Sequence, residues 1–132
     1  MTIAEALDKN YARLECQLLQ VAEAMPEDKF SFKPTPHLRT FGGQLRHVGA
    51  VQWVVGAALL NEKRSVDVGD GDSGPLFMTA KFEIVKYAQA SFTFCSAFSL
   101  RTKCKYAPTL RELTNTAITF HTITGREAIN KP

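Results

Sequence analysis

Apolar positions recur along this chain in steps of three and four, the spacing that keeps side chains on one face of a helix. The first run is Ala4, Leu7, Tyr11, Leu14, Leu18, Val21 and Met25, an uninterrupted stripe that Pro26 ends, since proline cannot donate the helical N–H. From Glu27 to Arg39 the chain reads "EDKFSFKPTPHLR", whose two prolines predict an extended connector, with Phe30 and Phe32 folding back onto the helices. Thr40 is a suitable N-cap for a second helix running to about Asn61, and Gly42 and Gly43 in its first turn suggest close approach of another backbone. "NEKRSVDVGDGDSGP" from Asn61 to Pro75 reads as a solvated turn. As a calcium loop it fails: Asp70 and Asp72 have the first spacing, but the twelfth position is Lys81.

A third helix starts near Thr79 or Ala80, carries Val85, Ala88, Phe92 and Cys95 with Ile84, Phe94 and Phe98 beside them, and fades by Thr102. Pro108 and Thr109 open a fourth, with a stripe of Leu110, Leu113, Ala117 and Phe120 that Gly125 interrupts or ends. No repeat and no strand-type alternation competes with these patterns. The expectation is one all-α domain over 1–132, a four-helix bundle with a long extended connector between helices 1 and 2.

Composition fits an ordinary globular protein, with 45% hydrophobic and 22% charged residues. The Val51–Leu60 run is about half the ~20 residues a membrane span needs. "MTIAEALDKN" has no signal-peptide core, so a cytoplasmic protein is expected. The net charge of +3 is uneven: from Arg101 onward six Lys or Arg face only Glu112 and Glu127. These charges are dispersed and not interleaved with aromatics, which favours a solvated surface over a nucleic-acid site. Cys16, Cys95 and Cys104 are odd in number and lack C-x-x-C spacing, which argues against a disulfide framework or a structural zinc. Cys16 and Cys95 read as thiols packed like small hydrophobes, while Cys104 lies between Lys103 and Lys105, a setting that lowers a thiol pKa.

His47 is the first candidate for chemistry. Val51, Val54 and Ala58 follow it at i+4, i+7 and i+11, so it is expected on an inward-facing row. His121, one turn after Ala117, is expected to face inward too. Two imidazoles from different helices can converge on a divalent cation, although a hydrogen-bonded core histidine would show the same pattern. His37 lies in the connector, ten residues before His47.

The stretch "AEAMPEDKFSFKPTPHLRTFGGQLRHV", Ala22 to Val48, resembles the segment joining the first two helices of DinB-like (DinB/YfiT) proteins, and "KFEIVKYAQASFTFCSAF" resembles their third helix. The similarity runs over roughly residues 5 to 121. It implies a four-helix bundle, often a homodimer, with three histidines around a divalent metal such as nickel or zinc. The ligand on the second helix corresponds to His47. The other two usually form an H-x3-H pair on the fourth helix, and here the chain departs from the pattern. With His121 as the first member, its partner position is Gly125; with Gly125 aligned to the family glycine, the ligand positions become Thr119 and Ile123. Either register loses a ligand. Two functions follow from the resemblance and its gaps. One is a metal-dependent enzyme of thiol-dependent transferase or hydrolase type, with His47 and His121 as ligands and a pocket drawn from Tyr11, Gln44, Val51, Trp53 and Phe92. The other is a non-catalytic dimeric bundle that binds a small ligand or a protein partner.

Overall fold

A computed structural model describes residues 1–64 and 66–96, and these form three α-helices with no strand among them. The first, α1 (Ile3–Ala24), is started by a capping box. Glu5 N–H donates to Thr2 Oγ1 at 3.2 Å, and Thr2 N–H donates to the Glu5 carboxylate at 2.7 Å. Two donors that have no partner inside the helix are thereby satisfied. Met25 closes α1 in an extended conformation (ψ 123°), and Pro26 makes any continuation impossible.

The connector to the next helix is less extended than expected. It begins with a single 3-10 turn, Glu27–Lys29, and then bends back so that Phe30 is buried. Phe32 does not fold back and remains exposed. α2 (Phe41–Leu60) starts at Thr40, whose hydroxyl accepts Gly43 N–H at 2.9 Å. It ends at Asn61 in the left-handed region (φ 52°), a conformation asparagine tolerates better than most residues. α3 (Lys81–Cys95) follows the Ala80 N-cap.

Helices α2 and α3 form the tightest pair. Gly42, Gly49 and Gly56, spaced by seven, face α3 and receive its side chains. A Cβ at Gly49 would lie 2.7 Å from the Tyr87 ring, and one at Gly56 would lie 2.9 Å from Cys95 Sγ. Gly42 also approaches another backbone, as expected, donating its N–H to the Phe30 carbonyl at 2.9 Å. Around this seam Leu45, Ala50, Trp53, Ile84 and Tyr87 build the core, closed at one side by Val68 and Met78 from the α2–α3 connection.

Two expectations need correction. α1 does not bury the predicted stripe: Glu15, Leu19 and Ala22 are its buried residues, while Leu7, Leu14 and Val21 are 64, 59 and 57% exposed. The inward face is thus rotated towards the flank of the seam, with Tyr11 and Leu18 shared between the two. The Asn61–Pro75 stretch is also more than a solvated turn, because Val68 and Pro75 within it are buried. The expected fourth helix lies outside the described residues.

Candidate functional site

His47 sits in the first half of α2, on its flank and not in its most buried row. That row is Gly42, Leu45, Gly49, Trp53 and Gly56, whereas Val51 and Val54 are half-buried and Ala58 is exposed. The sequence stripe placed His47 inward because Val51, Val54 and Ala58 are apolar. The glycines decide otherwise, since only their side of the helix admits α3 at close range.

The 66–80 segment covers His47. Its imidazole Nδ1 lies 2.6 Å from the Asp72 carbonyl oxygen and 3.2 Å from the Asp72 carboxylate. A carbonyl can only accept, so Nδ1 carries the proton and donates. In the neutral ring, Nε2 is then left with its lone pair. Hydrogen bonding one ring nitrogen to a carbonyl is how proteins fix the tautomer of a histidine that uses the other nitrogen.

Asp72 is held from both sides. Its carboxylate pairs with Arg39, at the end of the connector, and its N–H donates to Asp70 Oδ1 at 2.9 Å. The Asp70 carboxylate also accepts Ser73 N–H at 2.6 Å and the Ser73 hydroxyl at 3.2 Å. These bonds, led by Ser73 N–H, hold the Asp70 carboxyl below its ordinary range. The same bonds make residues 70–73 a self-braced turn.

Arg46, next to His47, donates to the Leu76 and Met78 carbonyls at 3.1 and 2.8 Å. Arg39, Arg46 and His47 therefore share one task, fastening the 66–80 segment to the start of α2. Sequence reasoning missed Arg39 and Arg46, and considered Asp72 only as a calcium ligand. The only signal for them was the density of turn residues in "GDGDSG", which must be stabilised by something.

The expected pocket residues do not gather around His47. Tyr11 and Phe92 meet, with ring centroids 5.4 Å apart, and the Tyr11 hydroxyl donates to Gln52. Trp53 is buried against Phe94, with centroids 4.6 Å apart, and its indole N–H has no partner among the described residues. Val51 is half-buried one turn beyond His47. Gln44 lines a separate cleft formed by the connector and the start of α2. The Cys95 thiol donates to the Gln52 carbonyl at 3.2 Å. Cys16, expected as a free thiol, is disulfide-bonded. His121 and Cys104 lie outside the described residues.

Among the described residues no group of three or more His, Cys, Asp or Glu side chains converges to hold a metal ion. No helix among them is long and apolar enough to cross a membrane. The described residues define an all-helical arrangement with a histidine held at the edge of a two-helix seam. The chain matches no family model, no curated protein and no solved structure.

Proposed function

We propose that this chain is a DinB-like helical-bundle protein in which His47 serves as a ligand, through Nε2, to a divalent ion shared with His121. The supporting observation is the Nδ1–H bond to the Asp72 carbonyl, which commits one nitrogen and leaves the other able to donate a lone pair. His47 thus fits a nickel or zinc ion as one ligand. His121 enters on the sequence pattern alone, and the third family ligand has no counterpart in the sequence. Such an ion would supply Lewis acidity towards a water or a thiol, the chemistry of a thiol-dependent transferase or a hydrolase. The protein's own part is to fix the imidazole and to keep the 66–80 segment closed over it.

The finer architecture belongs to the same reading. Leu7, Leu14 and Val21 form an exposed apolar row on α1, and such a row calls for a helical neighbour. The segment from Pro108 to Gly125 has the matching periodicity to be that fourth helix, and pairing of two bundles into a homodimer completes the assembly the resemblance implies.

A second reading, a non-catalytic bundle that binds a small ligand or a protein partner, is favoured by one observation. Arg39, Arg46 and His47 all spend their polar contacts on fastening the same connection, a purely structural use. Metal analysis of untagged protein separates the two. The first reading expects near-stoichiometric nickel or zinc, reduced at least about tenfold in both His47→Ala and His121→Ala. Metal-free protein that also takes up no added zinc or nickel leaves only the second.

A further inference from the structure

The cleft between the connector and the start of α2 has a composition that neither reading above uses. Its volume is about 620 Å³, within the range of small-molecule sites. Met25, Phe32 and Phe41 form its apolar wall, and His37, Arg39 and Gln44 supply polar groups. Among the described residues no acidic one lines it; its charged group is Arg39, whose guanidinium also pairs with Asp72. Phe32 and neighbouring Leu38 are each 54% exposed there, although the alternation of Phe30 and Phe32 predicts burial of both. Two large apolar side chains held open beside an arginine describe a surface for a molecule with an apolar body and an anionic end.

The anion would have to be held by side chains. The first amides of α2 are all occupied: Phe41 and Gly42 donate to the carbonyls of Phe32 and Phe30, and Gly43 and Gln44 donate to the hydroxyl and carbonyl of Thr40. Arg39 is the group that remains. Its guanidinium pairs with Asp72 through Nη2 and has further N–H donors, and a planar fork matches a carboxylate in particular.

We propose that this cleft binds a small amphipathic carboxylate, its chain lying on Phe32, Phe41 and Met25 and its carboxylate on Arg39, with His37 and Gln44 beside it. Because Arg39 also holds Asp72, which holds His47, a carboxylate bound here competes with Asp72 for the same guanidinium. Binding at the cleft is in this way linked to the histidine.

The test is calorimetric titration with octanoate, octanol and octylamine, with EDTA present so that no metal takes part. Octanoate should bind at least about tenfold more tightly than either control, the value of one charge-assisted interaction. Amide NMR shifts should concentrate at Phe32, Phe41 and Gln44. Arg39→Gln should remove the preference for octanoate over octanol. Phe32→Ser, an exposed change that leaves the core intact, should weaken octanoate and octanol alike. Binding that persists with EDTA present separates this site from the proposed metal site. Failure of octanoate to bind at millimolar concentration, equal binding of octylamine, or an unaltered preference in a folded Arg39→Gln protein would each overturn the proposal.

Discussion

Tyr87 brings a phenol into the middle of the α2–α3 seam, where its hydroxyl donates to the Asp67 carbonyl at 3.0 Å. Burial, with the Asp67 charge adding to it, pushes this phenol above its ordinary range, because the phenolate would lose its water and face a carboxylate. The folded pKa is raised, so the unfolded chain releases the proton first. The stability involved is complete below about pH 10, the ordinary tyrosine value, and is lost as pH rises beyond it. Absorbance titration of the three tyrosines should therefore show one that resists ionisation until circular dichroism reports unfolding. Tyr87→Phe should cost about 1 kcal/mol at neutral pH through the lost hydrogen bond and should lessen the alkaline loss of stability. Asp72 gives a different test. It holds His47 chiefly by its backbone carbonyl, and its carboxylate is 60% exposed where it meets Arg39. Asp72→Asn retains that carbonyl, so urea melts should shift by less than about 1 kcal/mol. A larger loss would mean that the carboxylate, not the backbone, positions the imidazole.

At the scale of elements, the seam between α2 and α3 depends on what α2 lacks. Gly49 has no side chain where one would stand 2.7 Å from Tyr87 Cδ1 and Cε1, closer than carbon atoms can pack. Alanine there gains up to about 1 kcal/mol of helix propensity. Overpacking a fitted core costs about 1–3 kcal/mol, so the clash prevails and Gly49→Ala should lower the denaturation midpoint. The start and end of α2 were legible in the sequence because their chemistry is local: Thr40 caps its own helix, and Asn61 supplies its own left-handed turn. The end of α1 was legible for the same reason, at Pro26. Which face of each helix turns inward was not. The α1 stripe of Leu7, Leu14 and Val21 is more apolar than the Glu15, Leu19 and Ala22 face that is buried. Periodicity identifies an apolar face but not the neighbour that will cover it. Likewise, His47 could be found from its pattern, whereas the Asp72 carbonyl 25 residues away could not, since a backbone acceptor leaves no mark in the sequence.

For the molecule as a whole, the question is how α1 is fixed to the α2–α3 pair when so much of its apolar stripe points outward. Lys81, the first residue of α3, supplies a large part of the answer. Its ammonium donates to the Glu23 and Met25 carbonyls at 2.7 and 2.9 Å and stands 5.9 Å from the centre of the Phe30 ring. One side chain thus joins the end of α1, the connector and the start of α3. A cation at a helix C-terminus also meets the negative end of the helix dipole, and carbonyls that have no partner within the helix are satisfied by it. Lys86, farther along the same helix, stands 5.6 Å from the centre of the Phe82 ring, which is itself 71% exposed. The two lysines provide an internal comparison. Lys81→Met keeps most of the aliphatic stem and removes both donors, for a loss of about 1.5–3 kcal/mol. Lys86→Met removes only a cation set over an exposed ring, and its effect should stay within about 0.5 kcal/mol. Hydrogen exchange adds the location: in the Lys81 variant, protection should fall first in the last turn of α1, whose carbonyls lose their partner, while the Gly49–Tyr87 region of the seam stays protected. Equal melting curves for the two variants would show that α1 is held by its buried face and by the Tyr11 contacts with Gln52 and Phe92, without a contribution from Lys81.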